Sequence, residues 1–250
     1  MKKLLLVLLA LPLIGFGQNV NIPDANFKAY LLGNSLINTN GDTEIQVSEA
    51  AAFTDTIDCS NMNISNLTGI EAFTALTYLW CVGNQLTILN VSLNTALTEL
   101  NCSYNPLGSL NVSLNTALTR LYCGYNQLTS LDVSLNTALT DLGCNGNQLT
   151  SLNLSQNTAL TSLGCNGNQL TSLDVSQNTA LTFLECQSNQ LTSLDVSQNT
   201  ALTYLHCGYN QLTSLNVRNG NNTILVYFNA QNNPNLYCID VDDDAFSTFN

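Results

Sequence analysis

Nine cysteines, one histidine and one loop of alternating polar residues are the groups in this 250-residue chain whose types and spacing could support chemistry. Cysteines at this density suggest disulfides made in an oxidising compartment, and an odd number leaves one thiol without a mate. Zinc is not expected, because there is no Cys-x-x-Cys pair and His206 is the sole imidazole. Nucleophilic catalysis needs a base beside the nucleophile. Cys207 would face away from His206 along an extended segment, and the acids Glu185 and Asp141 are far apart. No catalytic constellation emerges, so the chain reads as non-enzymatic. The polar loop runs Asn38-Thr-Asn40-Gly-Asp42-Thr-Glu44-Ile45 with Glu49 beyond it, and its spacing follows the calcium loop, where oxygen ligands recur at alternate residues and a glutamate closes the site. Asn38, Asn40, Asp42, Glu44 and Glu49 are the candidate ligands. Asparagine stands for aspartate at two places, and Thr43 occupies the place of the turn glycine, so tight calcium binding is not expected. The alternative is an Asn/Gly turn ahead of a capping helix. No other cofactor is expected.

What these groups do depends on the elements that carry them, and those elements repeat. Between Leu76 and Thr223 one phrase recurs, as in LTFLECQSNQLTSLDVSQNTA from Leu181, and Cys81, Cys102, Cys123, Cys144, Cys165, Cys186 and Cys207 stand 21 residues apart. Each copy fills the frame L-x-x-L-x-C-x-x-N-x-L-x-x-L-x-V, for example with Leu118, Leu121, Cys123, Asn126, Leu128, Leu131 and Val133. This is a leucine-rich-repeat frame. Its L-x-C step alternates as a strand does, sending Leu121 and Cys123 inward and Arg120, Tyr122 and Gly124 outward. One coil cannot bury its own apolar side, but stacked coils can, with strands about 4.8 Å apart in a parallel ladder. The predicted fold is a repeat solenoid: a leucine-rich-repeat horseshoe or right-handed coil with a parallel β-sheet on the concave face and an N-terminal helical cap.

The same period assigns most of the cysteines to the core. Residues at one place in successive coils point inward side by side, so a reduced column of small buried hydrophobes is favoured over strained disulfides between parallel neighbours. Cys238 falls outside the column and remains a candidate for pairing. The asparagine three places past each cysteine, Asn84 to Asn210, reads as scaffold, an inward amide serving backbone groups where the strand ends. A second alternation, Leu131-Asp132-Val133 and its copies, predicts another short extended segment. Cys59 marks an altered first coil, and Leu225, Phe228, Ala230 and Asn233 mark the last. Residues 1–17 are expected to be a signal peptide, 18–58 the cap, with a helix near Asp24 to Leu32, 59–236 the repeats and 237–250 a C-terminal flank.

The leader expectation rests on Met1-Lys2-Lys3, the apolar run Leu4 to Ile14 and the small residues Gly15 and Gly17, with cleavage before Gln18. The remaining chain carries Lys28, Arg120 and Arg218 against 17 acids, a net charge of −14. Three scattered basic residues cannot neutralise several phosphates, so nucleic acid is not a partner. No second apolar stretch is long enough to span a membrane. The oligomeric state is not legible.

Repeats within one chain show which positions vary while the frame holds. Variation gathers on the outward strand places and two residues past each cysteine, and the only tryptophan and histidine lie there. One predicted patch comprises Tyr78, Trp80, Tyr104, Tyr122 and Tyr125 with Arg120. Another comprises Phe183, Glu185, Tyr204, His206 and Tyr209, and a bare strip at Gly143 and Gly164 separates the two. Aromatic residues favour strands in any case, yet they also supply much of the energy of recognition. A ligand-binding face is the expectation.

The phrases L-T-x-L-x-C-x-x-N-Q-L-T and N-T-A-L, at 21-residue spacing over Leu76 to Asn219, resemble the cysteine-ladder repeats of internalin J, a listerial surface adhesin. The flanks IPDANFKAYL, NTNGDTEIQVSEA and NNPNLYCIDVDD resemble secreted leucine-rich-repeat proteins of flavobacteria, which often continue into a type IX secretion sorting domain. Here the chain stops at Asn250 without one, as a fragment or a form released differently would. The resemblance implies a secreted or cell-surface bacterial location and a binding role and identifies no ligand; the aromatic-bearing concave sheet is expected to bind a protein or glycan outside the cell. A structural spacer or envelope scaffold without a specific ligand is the alternative.

Overall fold

A computed structural model describes residues 17–242. All of the expected signal peptide except Gly17 therefore lies outside the described residues. Two helices open the fold, α1 (Ala25–Gly33) and α2 (Val47–Ala52). Asp24 caps α1, its carboxylate accepting from the backbone N–H of Asn26 and Phe27 at 3.0 and 3.1 Å and, through its other oxygen, from Ser65 at 2.8 Å. One carboxylate thus starts the helix and ties it to the first coil. Phe27, Leu31, Ile37, Ile45 and Ala50 are wholly buried beneath the helices. Phe53 meets Phe73 edge-on at 6.3 Å. The cap covers the apolar end that a first coil would otherwise expose.

Nine parallel strands follow in one sheet: β1 (Thr56–Asp58), β2 (Tyr78–Trp80), β3 (Glu99–Asn101), β4 (Arg120–Tyr122), β5 (Asp141–Gly143), β6 (Ser162–Gly164), β7 (Phe183–Glu185), β9 (Tyr204–His206) and β11 (Tyr227–Asn229). The register advances by one repeat per coil, pairing Leu79 with Leu100, Leu100 with Leu121 and so on. A second sheet on the far side of the coils comprises β8 (Ser193–Asp195), β10 (Ser214–Asn216) and β12 (Ile239–Asp240). The second extended segment of the repeat is thus paired as strand only in the last coils. In all of these coils the aspartate or asparagine turns the chain after the segment, Asp132 accepting from the Ser134 N–H at 2.9 Å and Asp195 of β8 from the Ser197 N–H at 2.8 Å.

Between the sheets the repeat positions form columns. The leucines of the frame and all cysteines from Cys59 to Cys207 are buried. The cysteines are free thiols. Burial pushes Cys59, Cys144 and Cys207 up to about 12 and holds Cys81, Cys102 and Cys186 well above the usual thiol range, with neighbouring thiols of the column adding to the shift at Cys81, Cys102 and Cys186. Cys238 is exposed.

The asparagines past the cysteines bridge coils as their chemistry requires. Asn105 donates to the Cys81 and Cys102 carbonyls at 2.9 and 3.1 Å and accepts from the Leu86 N–H at 3.1 Å. The pattern runs to Asn233, which accepts from Leu212. Two further columns were not expected. Asn94, Asn115, Asn136, Asn157, Asn178 and Asn199 are completely buried, each donating to two carbonyls of the preceding coil. Thr98 to Thr203 donate their hydroxyls to the threonine carbonyl one coil back, at 3.0 to 3.2 Å. Each coil is therefore stitched to its neighbours by side chains as well as by strand pairing.

Candidate binding face

The outward side chains of the nine-stranded sheet stand on this scaffold at the spacing of its strands. Near the N-terminal end the centre is Glu99, which lies on an outward strand position yet is only 6% exposed. It accepts from the Trp80 indole at 2.8 Å and from the Arg120 Nε at 2.6 Å. The Glu99 charge raises the pKa of Arg120, and the phenols of Tyr122 and Tyr78 lie close enough to add to the effect. Trp80 and Arg120 are thus fixed by a common carboxylate rather than left to wave in solvent. Sequence alternation gave no signal that an outward glutamate would be covered by its neighbours.

Tyr104 and Tyr125 stack at 4.4 Å with planes 12° apart, and both are exposed. Their backbone is left-handed, with φ of 58° and 53°, as is that of Tyr209 at 55°. The sister positions Gly83, Gly146, Gly167 and Ser188 share the conformation. The second residue past the cysteine is therefore a left-handed turn that glycine fills freely and that costs other residues about 1–2 kcal/mol. Glycine recurring among Tyr and Ser at one repeat position was the available sign.

Toward the C-terminal end Phe183, Tyr204 and Tyr227 form a three-ring stack, with centroids 4.4 and 4.3 Å apart. Tyr227, the outward residue of the last coil, completes this patch and was not anticipated. Tyr204 donates its hydroxyl to Glu185 at 3.2 Å, and His206 meets Tyr227 edge-on at 5.9 Å. The Nε2 of His206 is buried without a partner among the described residues. Tyr78, Tyr122 and Tyr209 touch no other ring among the described residues. The strip between the patches is partly covered: a Cβ on Gly143 would lie 3.0 Å from the Tyr122 ring, and one on Gly146 would lie 2.7 Å from the Tyr125 ring.

In the polar loop every carboxylate is already satisfied by protein donors. Glu44 pairs with Lys28 at 2.7 Å. Asp42 accepts from the Glu44 N–H and from the Asn40 and Gln46 amides at 2.7 to 3.0 Å. Glu49 accepts from the N–H of Thr39, Asn40 and Gln46 and from the Thr39 hydroxyl. Burial opposes its ionisation, but these donors prevail and hold it below the usual carboxylate range. Asn38 donates to the Leu32 and Asp42 carbonyls, which leaves its buried Oδ1 without a partner. Gly41, at φ 70°, makes the turn two residues ahead of Thr43.

No protein-family model matches the sequence, and no curated protein does. Solved structures do. Internalin C2 of Listeria monocytogenes superposes with a TM-score of 0.66 at 23% identity, over 90% of this chain and 97% of that one. A leucine-rich-repeat protein of Leptospira interrogans gives 0.55 at 23% identity, over 74% and 59%. The functional domain of InlJ from Listeria monocytogenes, which includes a cysteine ladder, is 32% identical over 90% of this chain, with a TM-score of 0.49. This chain spans 64% of the length of that domain.

Proposed function

From a chain with the leucine-rich-repeat fold and a column of buried cysteines, we propose a secreted or surface-exposed recognition protein that binds a protein or glycan through the outer face of its nine-stranded sheet. The observation that carries this reading is the choice of residue at the left-handed turn. Gly83, Gly146 and Gly167 fill it without strain, whereas Tyr104, Tyr125, Ser188 and Tyr209 fill it at a cost, and the three tyrosines leave their rings exposed. A scaffold gains nothing from that exchange. A contact surface does, because rigid aromatic side chains give large buried area for little lost freedom. The internalins among the similar structures are consistent with a binding scaffold and identify no ligand for this chain. Among the described residues no helix is long and apolar enough to cross a membrane.

Purified residues 18–250 on protein and glycan arrays test the reading. Binding should weaken at least about tenfold in Trp80→Ala and Tyr122→Ala, the usual cost of losing one aromatic anchor. Binding unchanged in both would refute the assignment to this face, and silence on every surface would favour a spacer.

A further inference from the structure

The two glycines of the strands themselves are the least explained residues on the sheet. At the residue before the cysteine the coils carry Trp80, Asn101, Tyr122, Gly143, Gly164, Glu185 and His206. No positive φ occurs at Gly143 or Gly164, so the backbone there would accept a side chain. A strand glycine is unfavourable by about 0.5–1 kcal/mol relative to alanine. Gly143 has a packing reason, since the Tyr122 ring rests over it. Gly164 has almost none: a Cβ there would meet only the Asn145 side chain, at 3.2 Å. Beside it, Gly167 would place a Cβ near nothing but the backbone of Gly146.

These absences make a shape. Gly164 and Gly167 floor a trough across the sheet. Tyr122 and Tyr125 lean over Gly143 and Gly146 as its N-terminal wall, and β7 forms the opposite wall, with Glu185 in register with Gly164 and Phe183 in register with Ser162. The walls belong to coils three strand spacings apart, about 14 Å. Asn145 lies on the floor beside Gly164, Asn166 and Gln187 hold the same repeat position in the next two coils, and the amide nitrogens of all three donate to nothing among the described residues. The Oδ1 of Asn166 and Oε1 of Gln187 are themselves buried without donors. The charged groups bordering the trough, Asp141 and Glu185, are both acidic, and the nearest cation, Arg120, is engaged by Glu99.

We propose that this trough binds a neutral oligosaccharide, with sugar rings seated over Gly164 and Gly167 against the Tyr122 and Tyr125 wall. Aromatic walls take the C–H faces of pyranose rings, while free amides and carboxylates serve hydroxyl groups. Acidic borders disfavour sulfated, sialylated or phosphorylated ligands. The proposal rests on the recognition reading above and names its ligand class and place.

Two substitutions separate the two. Tyr125→Gly removes part of the wall and installs the residue its sister coils use, so the fold should melt no lower than the parent. Gly164→Tyr fills the trough at a position where Tyr122 shows that the backbone tolerates the ring. On an array of neutral, sialylated and sulfated glycans printed beside proteins, the parent should bind neutral glycans, and both variants should lose at least about tenfold in affinity. Neutral-glycan binding that survives both variants but falls in Trp80→Ala would overturn the trough and keep the face. Binding confined to acidic glycans or to proteins would overturn the ligand class. No binding to any printed surface would overturn the trough and the recognition reading together.

Discussion

Removing Asn147 should cost more than removing Asn136, although both are buried asparagines that bridge coils. Asn147 donates to the Cys123 and Cys144 carbonyls at 3.0 Å each and accepts the Leu128 N–H at 3.0 Å. That N–H has no other acceptor among the described residues. Asn147→Ala therefore loses two hydrogen bonds, about 1 kcal/mol each, and strands a buried donor, about 1–3 kcal/mol more. The expected loss is about 4 kcal/mol. Asn136 donates to the carbonyls of Val112 and Asn115 at 3.0 and 2.8 Å. Those carbonyls keep a second partner, because Asn115 N and Leu118 N also donate to them. The Oδ1 of Asn136 accepts nothing, so its removal strands no donor. Asn136→Ala should cost about 2 kcal/mol. Asn136→Asp should be worse than alanine, since it turns a carboxyl oxygen toward two carbonyls and buries a charge or forces its protonation. Urea unfolding followed by circular dichroism gives the order directly, and a gap of about 2 kcal/mol corresponds to roughly 4–8 °C in melting temperature. If Asn136→Ala proves as damaging as Asn147→Ala, or the aspartate is tolerated, the hydrogen-bond accounting behind the ladders is wrong.

Cys238 alone should react promptly with a thiol reagent in native protein, and the other eight only after unfolding; fast titration of several thiols would contradict the buried column. Because burial raises the cysteine pKa above the value near 9 expected when unfolded, unfolding releases protons at alkaline pH, so stability is intact below pH 9 and falls as pH rises toward about 12. A flat alkaline profile in a urea series would exclude that linkage. Glu99→Gln should weaken the grip on Trp80 and Arg120, which the fluorescence anisotropy of the sole tryptophan reports as a fall; an unchanged signal would mean that the carboxylate does not fix the indole. Calcium added to the folded protein should give no calorimetric heat below millimolar concentration, since protein donors already satisfy Glu44, Asp42 and Glu49; micromolar binding would revive the loop as a metal site.

The leucine and cysteine columns, the Asn84 to Asn210 ladder and both terminal coils were legible because each depends on a position in a strict period. The ladder at Asn94 to Asn199 was present in the same period but silent. Nothing local distinguishes an asparagine that serves carbonyls inside from one that caps a turn outside, as Asn90 and Asn153 do. Glu99 was missed for the opposite reason: alternation placed it correctly outward, and its burial comes from Trp80 and Arg120 on adjacent coils. The left-handed turn at Tyr104, Tyr125 and Tyr209 needed a comparison of residue types across coils, because tyrosine alone carries no backbone signal. The partner ring Tyr227 lay beyond the stretch where the spacing stays regular.

The two Asn ladders also give the molecule a direction and a unit of length. Each asparagine reaches back exclusively to the coil before it and to its own, and each Leu N–H waits for the amide of the coil ahead. A whole repeat inserted anywhere in the stack would meet the same partners at both of its faces, whereas a partial one would meet none. The separation between the Tyr122 wall and the Phe183 wall can then change in evolution only in steps of about 4.8 Å, one coil at a time. Gain or loss of a 21-residue segment would act as a ruler adjustment, retuning the span that a ligand must match while leaving every interior contact as it was.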